Sequence, residues 1–150
     1  MKTRQLLLVF TVGIIFVLTA SAQTTEQFVF DGNTYYGTKA IPDEITGIYK
    51  YEKTKEPIVE INKDGSGKFQ LHGVPEYPVE YWIQTDDKGV VQMRKSEVNK
   101  NYQIVLILKY GSNGQPGWKG EKAGQYDRIE VTVAYDQGYA IALGERFKKL

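Results

Sequence analysis

From Gln27 to Leu143, apolar side chains recur at every second position in segment after segment. No window of about 11 residues keeps the 3.6-residue period of a helix. A chain patterned this way buries its apolar atoms by pairing strands into a sheet with one face turned inward. Gln27-Phe28-Val29-Phe30, Asp31-Gly32-Asn33 and Thr34-Tyr35-Tyr36 have the form of a tight hairpin, with Gly32 free to take a positive φ. Ile41 to Thr46 reads as a loop or a single helical turn that delivers the chain to Gly47. Tyr49 and Tyr51 then share a face, and Val59 and Ile61 do so before the turn Asp64-Gly65-Ser66-Gly67. Phe69 and Leu71 return on the next strand. Val79, Tyr81 and Ile83 alternate with Glu80, Trp82 and Gln84, and Val90 to Met93 reads as a further strand.

Two longer runs follow. Tyr102, Ile104, Leu106, Leu108 and Tyr110 form one apolar face, with Val105 and Ile107 opposite, so this strand is expected to be covered on both sides at its middle. Ile129, Val131, Val133 and Tyr135 face one way on the other, and Gly138 turns the chain into Tyr139 to Leu143. About nine strands separated by Gly, Asp and Asn fit an all-β fold. The expected architecture is an antiparallel barrel of about eight strands, with a β-sandwich as the alternative.

The first residues read as a processing signal. Lys2 and Arg4 precede an apolar run, Leu6 to Leu18, and Ala20-Ser21-Ala22 supplies a small-residue cleavage site. That run is roughly 13 residues, short of the about 20 that span a bilayer. The chain is therefore expected to be exported, to the periplasm or beyond the cell, with no integral membrane segment after cleavage. The expected division is a leader over 1–22, an N-terminal hairpin and lead-in turn over 23–46, and a barrel domain over 47–150.

Charge and cysteine content narrow the function classes. Removing Lys2 and Arg4 from the 19 basic residues leaves 17 against 18 acidic ones, a net charge of −1. Nucleic acid is held by clustered cations, and a balanced chain offers no such field. With no cysteine the fold does not rely on disulfides, and thiol nucleophiles and the usual zinc ligands are missing. The single histidine, His72, has Ser66 and Glu76 nearby in sequence, but no nucleophile elbow accompanies them. Glu60, Glu80 and Glu130 fall at the polar phase of their strands, where solvent exposure is the default. Asn62 to Gly67 echoes a calcium loop but lacks its downstream glutamate, and turn chemistry accounts for it. No catalytic residue, metal or cofactor is expected, and the chain reads as non-enzymatic.

The aromatic residues carry the functional reading. Trp82 lies in phase with Glu80 and Gln84, so it forms either a surface patch or the lining of a cavity. Trp118 sits in a glycine-rich loop of about 15 residues between Tyr110 and Tyr126, a length uncommon in compact domains without a role. It either caps a pocket or partner site, or folds back over the core. Tyr51, Tyr81 and Trp82 are the candidate pocket residues, with Trp118 as lid.

Gly47-Ile48-Tyr49 at the first barrel strand, preceded by a short turn, and Arg146 near the end together resemble the lipocalin-like (calycin) barrels. Tyr49 stands where those families carry tryptophan. The resemblance implies that Gly47, Tyr49 and Arg146 are structural, with Arg146 packed over the aromatic. It also implies a barrel mouth that binds small apolar molecules. Two functions follow as expectations: binding of a small apolar or amphipathic ligand, or a cell-envelope module that binds a protein or glycan.

Overall fold

The computed structural model describes residues 24–54, 56–70, 72–73, 75–111 and 124–150. The expected leader over 1–22, Leu71 and Trp118 lie outside the described residues. Eleven strands follow in order: β1 (Thr25–Phe30), β2 (Asn33–Thr38), β3 (Gly47–Tyr51), β4 (Ile58–Ile61), β5 (Ser66–Phe69), β6 (Tyr77–Thr85), β7 (Arg94–Ser96), β8 (Asn101–Tyr110), β9 (Tyr126–Ala134), β10 (Tyr139–Ala142) and β11 (Glu145–Lys149). β3, β4, β5, β6, β8, β9, β10 and β11 run as an antiparallel meander. β11 returns to β3 through Phe147↔Tyr51 and Lys149↔Tyr49, closing an eight-stranded barrel. The barrel, and not the sandwich, is the arrangement adopted.

Alternation decides what fills it. Tyr49, Val59, Ile61, Phe69, Val79, Tyr81, Ile83, Tyr102, Ile104, Leu106, Leu108 and Tyr110 are all buried in one interior cluster. The lead-in turn adds Ile41 and Ile45, 4% and 1% exposed, as a plug at the end where β3 begins. Outward positions carry charge: Glu60 lies opposite Lys68, and Glu80 opposite Lys109. That is the reverse of a membrane-spanning barrel, whose outer band is apolar.

Close approach is strictest at Gly67. A Cβ there would lie 1.9 Å from the Glu60 carbonyl oxygen and 2.8 Å from the Tyr81 ring. Its missing side chain leaves room for the ring beside the β4–β5 hairpin, where the Tyr81 hydroxyl donates to the Lys68 carbonyl at 2.8 Å.

Three strands lie outside the ring. β7 is a short edge strand on β8. β1 and β2 form a hairpin through Phe30↔Asn33, and β2 continues the sheet on the far end of β6 through Tyr36↔Thr85 and Thr38↔Ile83. An isolated hairpin is marginal in water, and this one is held by its apolar face. Phe28 and Phe30 turn onto the outside of the barrel, where Trp82 and Ile107 are buried at 3% and 0% exposure. Phe28 meets the Trp82 ring edge-on at 5.0 Å, and Phe30 stacks on Tyr126 at 5.7 Å. The Trp82 indole N–H donates to the Glu26 carboxylate at 2.8 Å. Lys39 sits 4.6 Å over the ring while pairing with Glu80 at 2.6 Å. The cover anticipated over the middle of the 102–110 strand is this hairpin.

One local expectation changes, and one strand is added. Val90 to Met93 is not a strand, although Val91 makes an isolated bridge to Thr85. The Asp86 carboxylate accepts from the N–H groups of Lys88 and Val90, and the Asp86 N–H donates to the Val90 carbonyl. The backbone is thus committed to a tight loop, and its pairing with the end of β6 is limited to the Val91 bridge and the Gln92 N–H, which donates to the Gln84 carbonyl at 3.0 Å. At the other end of the chain, Glu145–Lys149 forms a strand that its own alternation announces weakly, with Phe147 its single apolar inward residue.

Two substitutions measure these contacts by chemical denaturation. Trp82→Ala is expected to cost about 3–5 kcal/mol, the range for truncating a buried tryptophan. Gly67→Ala is expected to cost about 1–3 kcal/mol by overpacking. An unchanged midpoint for Trp82→Ala would show that the ring does not hold the hairpin.

Candidate functional site

The barrel lumen comes first, because a hollow lumen is what a small-ligand carrier needs. Eight strands enclose a space that side chains can just fill or that can hold one small ligand. Here they fill it: the space left among Tyr49, Ile104, Leu106, Ile129, Val131 and Phe147 amounts to about 20 Å³. That is room for about one water and not for a ligand.

The aromatic residues singled out by the sequence do not converge. Tyr81 is an interior residue with 0% exposure. Burial is the first cause holding its hydroxyl well above the ordinary tyrosine pKa, with the charges of Tyr110 and Glu60 adding to it. Trp82 faces the other way, beneath the N-terminal hairpin. Tyr51 is half-buried towards the end of the barrel away from the lead-in turn, edge-on to His72 at 4.7 Å. His72 in turn contacts the Glu145 carboxylate at 3.0 Å on the surface. Trp118 falls outside the described residues.

The residues expected to be structural do meet, with one replacement. Tyr49 is buried at the start of the barrel, and its hydroxyl donates to the Ile45 carbonyl at 2.9 Å, tying β3 to the plug. Arg146 points outward, stacks on Tyr139 at 3.7 Å and pairs with Glu52 at 3.2 Å. The cation over Tyr49 is Lys149, 5.8 Å from the ring centroid, which also donates to the Glu44 carbonyl at 3.0 Å. Lys149 lies in register with Tyr49 and Arg146 does not, because strand alternation sends position 146 to the outer face. Gly47 makes room for this arm: a Cβ on it would stand 2.9 Å from Lys149 Cε, and its φ of +135° suits glycine.

The spacious hollow is on the outside. A groove of about 510 Å³ runs over the outer faces of β6, β8 and β9, walled by the segment from Val91 to Arg94. The hairpin covers one half of that outer face, and the groove occupies the other. Arg128 marks the boundary: its guanidinium lies 4.4 Å over the Tyr35 ring of the hairpin and its Nε donates to Gln84 at 2.8 Å. Past it, Gln84, Gln92, Gln103 and Thr132 bring amides and a hydroxyl, Arg94 and Glu130 bring one charge of each sign, and Val91, Met93 and Val105 bring apolar surface. Neither Arg94 nor Glu130 has an ion-pair partner among the described residues, whereas Glu80 is flanked by Lys39 and Lys109. Amide side chains offer donor and acceptor side by side, so the groove can match neighbouring hydroxyl groups. The sequence does not announce it, because its residues come from three strands and the segment after β6, and only the β6–β8 and β8–β9 pairings bring them together.

Among the described residues no group of three His, Cys, Asp or Glu side chains is arranged to hold a metal ion. Comparison of the chain with protein-family models, curated proteins and solved structures finds no match.

The buried tyrosines set an alkaline limit. Burial pushes the Tyr49 hydroxyl from about 10 up to about 12. A raised folded-state pKa means that this stabilisation is whole below about pH 10 and is lost as pH rises towards 12, because the unfolded chain ionises first. Denaturation midpoints are expected to fall steeply over that interval, and Tyr49→Phe to flatten part of the slope. A midpoint constant to pH 12 would contradict the burial of this hydroxyl.

Proposed function

We propose that this protein is a non-enzymatic binding module of the cell envelope that takes an extended glycan along its outer groove. One observation carries the reading: the lumen leaves about 20 Å³, while the polar groove over β6, β8 and β9 offers about 510 Å³. Binding sites for drug-sized ligands span roughly 300–1,000 Å³. The groove opens to solvent and its lining is mostly polar, which suits a hydroxylated chain better than a compact apolar molecule.

Its chemistry favours a neutral polyhydroxylated chain. Amides, a carboxylate and a guanidinium exchange paired hydrogen bonds with vicinal hydroxyls, and Met93 and Val105 can lie against the C–H face of a sugar ring. Export rests on the leader over 1–22, and a lipocalin-like kinship on the meander order and the Gly47–Tyr49–Lys149 closure. The other reading, a small apolar ligand in the barrel mouth, requires a lumen that the packed tyrosines, leucines and isoleucines leave little room for.

The test is titration of neutral oligosaccharides of hexoses and N-acetylhexosamines, followed by calorimetry and amide chemical-shift changes. Shifts are expected along β8, β9 and Val91–Arg94. Glu130→Ala and Gln103→Ala should each weaken binding by about fivefold or more, as loss of a hydrogen bond worth about 1 kcal/mol implies, with denaturation midpoints nearly unchanged. Binding of an apolar dye with quenching of tryptophan, and no response to any oligosaccharide, would overturn the proposal in favour of the small apolar ligand.

A further inference from the structure

On one side of the barrel, outward cations meet acids across the strand pairing: Lys68 lies opposite Glu60 and Lys109 opposite Glu80. The seam that closes the ring breaks this pattern. Lys50 on β3 lies directly opposite Lys148 on β11, and neither has an ion-pair partner among the described residues. Both point outward, Lys148 exposed and Lys50 half-buried. Like charges placed opposite each other weaken a sheet.

Apolar side chains bracket the two lysines. Towards the lead-in end, Ile48 lies beside Leu150, whose N–H donates to the Ile48 carbonyl at 2.9 Å. In the other direction Ile141 lies opposite Arg146, and Leu143 stands 51% exposed in the turn between β10 and β11. These are four of the eight large apolar side chains exposed among the described residues, so they are concentrated on this face. Tyr139, under the Arg146 guanidinium, lies between them. Leu143 also takes a φ of +51°, followed by Gly144 at +76°. Two successive left-handed residues make a hairpin turn that suits asparagine or glycine and not leucine. The turn therefore holds an apolar side chain out in solvent at a cost to the fold.

We propose that the outer face of β3, β11 and β10 docks on an anionic lipid membrane surface, with Lys50 and Lys148 among the phosphates and the four apolar side chains at the edge of the acyl region. A protein interface gathers apolar residues at its centre and charges at its rim. Here apolar and cationic residues alternate row by row over the same ground. That matches a bilayer boundary, where headgroup charge and hydrocarbon lie within about 5–10 Å of each other. A second copy of the face would instead bring lysine pairs together. In the ring of eight strands the β3–β11 seam is diametrically opposite the β6–β8 seam. A docked barrel thus turns its outer groove away from the bilayer, and the docking does not depend on what the groove binds.

The experiment adds vesicles of phosphatidylcholine, alone or mixed with phosphatidylglycerol, to the full chain. Tighter binding is expected on the anionic vesicles, weakening at about 1 M salt, where screening shortens the reach of a charge to about 3 Å. Lys148→Glu turns repulsion of Lys50 into attraction, so the denaturation midpoint should hold or rise. Its vesicle affinity should nevertheless fall about twentyfold or more, at about fivefold per unit charge. Leu143→Asn suits the turn, so it too should hold or raise the midpoint while affinity falls about tenfold. The chain has no cysteine, so a polarity-sensitive dye on Ile141→Cys reports this face and one on Gln103→Cys reports the groove. Only the first should shift on anionic vesicles. No binding to anionic vesicles, binding without that shift, or affinity unchanged in both variants overturns the proposal. Capture of soluble polyphosphate as tight as that of vesicles, with Leu143→Asn without effect, overturns the lipid and assigns the face to a soluble polyanion.

Discussion

Tyr49, Tyr81, Tyr102 and Tyr110 carry their rings into a closed interior, and the space they occupy determines what the rest of the barrel can do. A tyrosine ring reaches further across a lumen than leucine or valine, and its hydroxyl must then find an acceptor at the far side. Tyr49 finds one on the plug and Tyr81 one on the neighbouring hairpin, at 2.9 and 2.8 Å. Each of these two rings therefore fills volume and cross-ties two elements. Together with Leu106, Leu108 and the inward isoleucines, they leave no ligand-sized void at the centre. The roomier hollows lie on the outer face and at the ends.

The outer face is divided by the N-terminal hairpin. Trp82 and Ile107 would be an exposed apolar patch on a bare barrel, and Phe28, Phe30 and Tyr35 cover it. The cover stops at Arg128, whose guanidinium faces Tyr35 on one side and Gln84 on the other. Beyond that point the same three strands present amides, Thr132, Glu130 and Arg94. One sheet surface thus serves as a second core over one half and as a polar groove over the other.

Much of this architecture is legible in residue order. Period-two alternation gives the faces, Asp31-Gly32 and Asp64 to Gly67 give hairpins, and the strand count gives a barrel-sized sheet. Alternation alone does not say what lies against an outward face. Trp82 in phase with Glu80 and Gln84 reads as a patch or a pocket wall until the hairpin from 56 residues earlier is placed over it. Glu145–Lys149 escapes notice because four of its five residues are charged and the burial of Phe147 depends on closure. Lys149 takes the place over Tyr49 expected of Arg146, since pairing register and not residue type decides which cation faces inward. The groove is invisible for the same reason: Gln84, Gln103 and Glu130 are distant in sequence and unremarkable one by one.

The two halves of the outer face depend on each other in one direction. The platform for the hairpin is assembled from Trp82 on β6, Ile107 on β8 and Tyr126 on β9, so those strands must be in register before Phe28 and Phe30 have anything to bury against. The barrel can close without the hairpin, since its β3–β11 seam involves neither β1 nor β2. The hairpin cannot be stable without the barrel, being a two-stranded ribbon with a single apolar face. What it adds is an edge. By ending the covered region along Tyr35 and Arg128, it bounds one side of the polar surface, and the segment from Val91 to Arg94 bounds another. A flat sheet face becomes a groove because material outside the ring of eight strands rises beside it.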